Sequence, residues 1–353
     1  MKKLTGWIKR HQVLAFFIFA YAITWSLLLL YYYVISPIDP GLGILLQPLI
    51  VFSPALMAML ISCIADPLPK SKSSRPRWVA FIVSWLVSAP ILILYAWKIY
   101  DIEELAVVVI VFSIIAVFPA WVLSSAYART PGIRKQFSTL LKPRGPVLWY
   151  LVIFLIFPGI PLLGMTITNL FGGEAQFYLA DIAFRDTAVL LLLEFAHVFL
   201  MTGGINEESG WRGFALPRLQ SRHPVIVAAL AVGIVWGLWH LPFDFGEGVP
   251  VTWILENRLV WSLVFSILMT WVYNRTNGSI LAPALFHSAM NTFGNQFTIT
   301  TAGNVLFIGV AIYAIVSDRM WKKLPSDHLA VYRSPEFDGQ SRATQKLTGD
   351  SHG

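Results

Sequence analysis

The chain has little charge and almost no cysteine. Of its 353 residues only 13% are Asp, Glu, Lys or Arg, about half the share of a soluble globular domain, whereas 56% are hydrophobic and 14% aromatic, with 14 Trp. That balance excludes a water-soluble globule and marks a polytopic membrane protein. The single cysteine, Cys63, lies inside an apolar run, so an intrachain disulfide and a cysteine-based zinc site are both excluded. No repeat relates the two halves, which removes the support for an inverted-repeat transporter. The net charge of +7 does not argue for nucleic acid as a partner, because the basic residues sit in short loops between apolar segments, where they set topology.

What is present is a series of ten apolar runs, beginning near Val13, Ile44, Trp78, Leu105, Val147, Thr187, Val225, Leu259, Ile280 and Val305. Ala20-Tyr21-Ala22 resembles a signal-peptidase site, but its run continues to about Ile35, which favours an uncleaved membrane helix. Basic loops (Lys70, Lys72, Arg75 and Arg77; then Arg129, Arg134, Lys135, Lys142 and Arg144; then Arg212, Arg218 and Arg222; then Arg275; then Arg319, Lys322 and Lys323) alternate with loops that are acidic or lack basic residues, such as those of Asp101, Glu103 and Glu104, of Glu174 and Asp181, and of Asp244 and Glu247. The runs and their alternating loops predict an all-α polytopic helical bundle of about 8–10 transmembrane helices with both termini cytoplasmic, and the membrane expected for it is that of a prokaryotic cell. The last two runs are short enough to be tilted or re-entrant. Pro158 and Pro161 predict kinks in the fifth. The organisation expected is N-terminal transmembrane helices over 1–186, a catalytic transmembrane core over 187–323, and a polar, disordered cytoplasmic tail over 324–353.

Chemistry concentrates in Asn206-Glu207-Glu208-Ser209-Gly210-Trp211-Arg212, which sets two adjacent carboxylates at the end of the sixth apolar run. At bilayer depth an ionised side chain costs several kcal/mol unless it is paired or lines a wet cavity. If the segment is helical, Glu208 and Arg212 share a face and can pair, while Glu207 is turned about 100° away and is free to act as a general base. A capped helix end with a surface ion pair is the bland alternative. His197, His240 and His287 also fall within apolar runs. Trp236 and His240 stand four apart, as do His287 and Asn291, so each pair projects together; an imidazole beside a carboxamide can stabilise an oxyanion. A buried histidine that bridges helices is the competing reading for any one of them alone. Glu194 and His197, three apart, suggest an intrahelical buried pair or a proton relay. They offer no diiron site, which needs two such motifs and further carboxylates.

The signatures His-Glu-x-x-His, Gly-x-Ser-Gly and Gly-x-Gly-Asp of zinc, rhomboid-type and presenilin-type intramembrane proteases are missing. Three other elements, Glu207-Glu208-x-x-x-Arg212, Trp236-x-x-x-His240 and His287-x-x-x-Asn291, come in that order, each on an expected membrane helix. Together they resemble the CPBP family of intramembrane endopeptidases, which comprises the CAAX proteases and bacteriocin-processing or Abi proteins. The resemblance covers roughly Leu190 to Thr300; the first four spans match nothing specific. One departure is Trp236, where the family's second motif usually has Phe, a conservative aromatic exchange that leaves His240 in place.

The resemblance implies hydrolysis of a peptide bond in a membrane-associated or lipid-modified peptide or protein, with the bilayer as the other partner. It implies that Glu207 and His240 activate a water, that His287 and Asn291 hold the oxyanion, and that Glu208 and Arg212 support them. Zn2+ held by Glu207, His240 and His287 is the metalloprotease version of the same site. Because Asn is a poor zinc ligand and no further acid stands as base, the metal-free glutamate mechanism is favoured. Two other functions compete: a non-catalytic membrane immunity or binding protein, and a proton-coupled transporter using Glu194, His197 and Glu207. One geometric requirement follows. Glu207 lies near the cytoplasmic end of the sixth run, whereas His240 lies about 22 Å along the seventh at helical rise. They meet only if the sixth helix continues past its apolar run, rebending at Gly203-Gly204, or if the seventh starts below the interface.

Overall fold

A computed structural model describes residues 2–65, 74–99, 104–179, 184–294 and 296–333. Lys70, Lys72, Asp101, Glu103 and Asp181, read above as loop charges, lie outside the described residues. Seven helices are long and apolar enough to cross a membrane, or eight if one bent pair counts as a span. Among the described residues the only β pairing is an isolated bridge between Phe177 and Phe297. The protein is therefore an all-α helical bundle, as its composition requires. In the bilayer only such a closed hydrogen-bonding scheme leaves no backbone group unpaired against lipid.

The chain forms α1 (Gln12–Ile35), the bent pair α2 (Pro40–Val51 and Ser53–Ala65), α3 (Arg75–Ile99), α4 (Leu105–Tyr127), α5 (Pro131–Leu141) and α6 (Leu148–Leu170). Then come α7 (Phe184–Leu200) and α8, residues 205–220, followed by α9 (Val225–Gly246), α10 (Val251–Arg275), α11 (Leu281–Gly294) and α12 (Thr301–Ser317). Leu155, Leu162, Leu192 and Ile312 remain exposed on the outside of the bundle, an apolar surface suited to lipid. The ninth and tenth expected spans appear as α11 and α12, of 14 and 17 residues. At helical rise α11 extends about 21 Å, short of an apolar core about 30 Å thick. Pro158 and Pro161 stand inside an α6 that is helical throughout.

A break comes in α2, which bends by 41° at Phe52. Pro54 lacks the N–H that would bond the Ile50 carbonyl, and that oxygen accepts from the Thr24 hydroxyl on α1 at 3.3 Å. The neighbouring Val51 carbonyl accepts from Asn206 of α8 at 2.9 Å. Gly210 of α8 lies so close to Pro54 that a Cβ there would stand 2.6 Å from the proline ring. The bend is thus the socket for the carboxylate-bearing helix.

One expectation is corrected. The basic segment after α4 is not all loop: Ile133, Phe137 and Leu140 recur at helical spacing and bury one face of α5, and Gln136 donates to the Ser209 carbonyl at 2.7 Å. Residues 324–333 pack on the end of α8, where Gln220 donates to the Ala330 carbonyl at 3.0 Å and the Arg218 guanidinium lies 3.9 Å from the Tyr332 ring centre. The rest of the tail lies outside the described residues. Helices α2 and α6 both pack on helices that follow residue 186.

Helix contacts are made close by small residues, as expected where lipid supplies no hydrophobic drive. A Cβ on Gly164 of α6 would stand 2.7 Å from the Gly303 backbone of α12. Replacing Gly164 with Val must push the helices apart, and we expect a loss of about 1–3 kcal/mol of stability. A lowered thermal unfolding temperature in detergent checks this; an unchanged one would show that the two helices do not meet there.

Candidate active site

Gly203 and Gly204 create the site by interrupting the sixth apolar run. Gly203 has φ of +148, a conformation that L side chains rarely adopt, and its Cα lies against His287, whose Nε2 would be 2.7 Å from any Cβ. Its N–H donates to Asn206 Oδ1 at 2.9 Å, so Asn206 ties this turn to α2 through its own amide. Beyond the turn the chain resumes as α8, with a π-helical turn over Trp211–Ala215. π-Turns of this kind recur at functional sites.

The continuation removes the mismatch in depth. The apolar segment does not end at Ile205 but forms one candidate span of 35 residues, Asp186–Gln220. Glu207 therefore lies about 20 Å above the turn that joins α8 to α9, and His240 about 22 Å above the same turn. The two helices form a hairpin that brings them level. Arg212, expected in a basic loop, is in fact fully buried inside α8.

At this level Glu208, with no exposed surface, accepts through Oε1 from Arg212 Nη1 at 2.9 Å and from His287 Nδ1 at 2.8 Å. The guanidinium also lies 4.8 Å from the Trp236 ring centre. Glu207, 5% exposed, accepts from Trp236 Nε1 at 2.7 Å, and its other oxygen has no protein partner among the described residues. His240 bonds the Trp236 carbonyl through Nδ1 at 2.8 Å. A carbonyl can only accept, so Nδ1 carries the hydrogen and Nε2 keeps its lone pair. By the same reasoning the carboxylate partner assigns the Nδ1 hydrogen of His287. Asn291 Nδ2 donates to the Thr202 carbonyl at 3.2 Å, leaving a second N–H.

Glu207, His240, His287 and Asn291 all line one cavity of about 610 Å³. Gln47 and Val51 of α2, Phe157 and Pro161 of α6 and Trp239 of α9 complete its walls, so helices before residue 187 are part of the site. The outlying pair behaves otherwise. Glu194 and His197 do not bond each other; the Tyr95 hydroxyl donates to Glu194 at 2.7 Å and its ring stacks on His197 at 3.8 Å. Neither lines the cavity, so they clamp α3 to α7, and the expected relay through Glu207 has no continuity here.

Zn2+ fits poorly. Among the described residues no three His, Cys, Asp or Glu side chains are grouped to share one ion. The functional residue that sequence reasoning undervalued is Trp236. It is more than an aromatic equivalent of Phe, because its indole N–H donates to Glu207, a hydrogen bond that a phenyl ring cannot make. Asp244, read as a loop acid, is also buried and pairs with Arg258.

Fold and site together define a polytopic helical membrane protein with a buried carboxylate–histidine centre facing an intramembrane cavity. Residues 189–293, which span all three motifs, match the family described as type II CAAX prenyl endopeptidase Rce1-like. CAAX prenyl protease 2 of Methanococcus maripaludis is 30% identical over 171 residues, 45% of this chain and 60% of that protein. The similarity thus falls on the segment that carries the three motifs, and the chain spans about 60% of the length of that relative.

Removing Arg212 would leave Glu208 buried without its cation. We expect Arg212→Ala to lose about 3–5 kcal/mol, whereas Glu207→Gln, which keeps its shape and has no ion pair to lose, stays within about 1 kcal/mol of the parent. Thermal unfolding of both variants in detergent checks this. Equal stability of the two would mean that the ion pair does not organise the site.

Proposed function

We propose that this chain is an intramembrane endopeptidase that hydrolyses a peptide bond of a membrane-associated or lipid-modified peptide or protein. The observation that carries the reading is the convergence of Glu207, His240, His287 and Asn291 on one cavity within the helical bundle. The name of the 30%-identical relative makes a prenylated C-terminal peptide the first substrate to try. A prokaryotic cell membrane with both termini on the cytoplasmic side is part of the proposal; the alternation of basic loops supports the orientation of the termini.

In this mechanism a water lies between the unpartnered oxygen of Glu207 and Nε2 of His240. Glu207 removes a proton as the water oxygen attacks the carbonyl carbon, and His240 accepts the hydrogen bond that aligns the attack. Negative charge on the carbonyl oxygen is met by the free N–H of Asn291 and by His287. With the His287 Nδ1 hydrogen committed to Glu208, Nε2 can donate only in the doubly protonated ring, so the mechanism requires that form beside the Glu208 carboxylate. Glu207 then returns the proton to the departing amine. No step is assigned to a metal.

Glu207→Gln and His240→Asn are expected to reduce cleavage of a prenylated peptide in proteoliposomes by at least about 100-fold without changing helix content. Product release followed by mass spectrometry checks this, and retained cleavage in either variant would refute the assignment. Excess EDTA is expected to leave the rate unchanged; a loss that Zn2+ restores would establish the metal alternative.

Trp236→Phe keeps the aromatic ring and removes only the donor to Glu207. A fall in kcat of about tenfold, with KM and unfolding temperature near the parent's, is the expected result, since one orienting hydrogen bond is lost. An unchanged kcat would show that the indole packs without positioning the acid.

A further inference from the structure

A second hollow, of about 1120 Å³, opens at the end of the bundle where the basic loops gather, and it shares no residue with the cavity of Glu207 and His240. Separate stretches of chain build it: the end of α4 running into α5 and the loop that follows, the end of α8, the turn between α10 and α11, and the last described residues, 329–333. Arg134, Lys135, Lys142, Arg144, Arg218 and Arg333 all line it, and among the described residues no Asp or Glu does. At three other places the chain gives a cation its acid: Arg212 pairs with Glu208, Arg258 with Asp244 and Arg275 with Asp318. Arg134, Lys142, Arg144 and Arg333 have no carboxylate partner among the described residues. Basic residues that only set topology stand loose in water. Several of these are held on the wall of the hollow. The Arg144 N–H donates to the Tyr150 hydroxyl at 3.0 Å, and Gly145, at φ of +71, lies against Thr276, where a Cβ would stand 2.8 Å from the threonine Cα. Arg333 donates through Nε to the Ser326 carbonyl at 3.1 Å, and the Tyr332 N–H donates to the Pro217 carbonyl at 3.0 Å. The Arg218 guanidinium is stacked between the rings of Phe214 and Tyr332, 3.6 and 3.9 Å from their centres.

We propose that this basic hollow binds the phosphate group of an anionic ligand at the membrane surface. The inference goes beyond the endopeptidase reading and does not rest on it. Arg134, Lys142, Arg144 and Arg333 repel one another across a single volume, and an anion placed among them relieves that repulsion. A phosphate oxygen also accepts charge-assisted hydrogen bonds from guanidinium and ammonium groups, and the planar fork of arginine matches its geometry. Because Arg144 and Arg333 are tied to the fold before a ligand arrives, less freedom is lost on binding. Basic pockets between membrane helices hold phospholipid headgroups by this chemistry. The rim here suits acyl chains: Tyr127 and Leu141 border the hollow with exposed side chains, and Val147 and Leu148, shortly after Arg144, are exposed and apolar. The phosphate has two sources, the headgroup of an acidic phospholipid or a soluble phosphate ester, and the chemistry of recognition is the same for both.

The test uses the full-length protein in neutral detergent micelles and measures the affinity of three probes by calorimetry. Two are short-chain lipids of equal acyl length, the anionic dihexanoyl phosphatidylglycerol and the zwitterionic dihexanoyl phosphatidylcholine. The third is inorganic pyrophosphate, which has no chains. Phosphatidylglycerol is expected to bind at least about tenfold more tightly than phosphatidylcholine. That preference is lost in Lys142→Gln combined with Arg144→Gln. It survives in Lys322→Gln combined with Lys323→Gln, which removes the same charge from residues outside the hollow. Should the first double variant fail to fold, Arg333→Gln alone is expected to lower the affinity for phosphatidylglycerol about fivefold, the contribution of one cation near the surface. Pyrophosphate that binds as tightly as phosphatidylglycerol, and is lost in the same variants, assigns the phosphate to a soluble source; weaker binding assigns it to a headgroup with its chains. Either supports the site. A parent protein that neither prefers phosphatidylglycerol nor binds pyrophosphate overturns it, as does a preference that survives in the variants of the hollow or falls equally in the variant outside it.

Discussion

Glu208 accepts hydrogen bonds from Arg212 on its own helix and from His287 on α11, with none of its surface exposed. A buried carboxylate of this kind is costly to create and more costly to strand, so each partner is held as firmly as the acid. Fixing His287 fixes the face of α11 that also carries Asn291. Committing Glu208 to Arg212 and His287 leaves Glu207, one residue earlier and turned to a different face, facing the cavity with only an indole N–H upon it. The division of labour between the two acids therefore follows from which one has charged partners.

The site also depends on places where helical regularity fails. Pro54 bends α2, and the exposed carbonyls of Ile50 and Val51 are taken by Thr24 and Asn206. Gly203 turns the chain between α7 and α8 through a conformation that glycine adopts freely. π-Turns follow at Trp211–Ala215 and at Glu256–Trp261. Each irregularity is buried in protein or borders the cavity, the only settings in which non-helical backbone is tolerated at membrane depth. They bring Glu207 level with His240, and they let α10 come against Gly237.

Much of the fold is legible in sequence because a membrane helix is written locally, as an apolar run of sufficient length. The ten runs all became helices, with the last two as short as they read. The three motifs were legible because four-residue spacing on a helix fixes which side chains share a face. What escaped depends on partners distant in the chain. Arg212 read as a loop cation because nothing local says that Glu208 and the Trp236 ring will enclose it. Asp244 read as an outer-loop acid because Arg258, its partner, lies beyond a turn. Trp236 read as an aromatic equivalent of Phe because the acceptor for its N–H is 29 residues away. The helix 131–141 was masked by its basic residues, although Ile133, Phe137 and Leu140 already traced an apolar stripe.

The account stands on a carboxylate and two imidazoles from three helices facing the same small volume. A structure determined experimentally with a tetrahedral peptide analogue bound tests it most directly. The analogue's two oxygens should divide, one within about 2.7–3.1 Å of Glu207 and His240 and the other within the same reach of His287 and Asn291. An analogue bound elsewhere, or Glu207 and His240 separated by protein with no room for an oxygen between them, would contradict it.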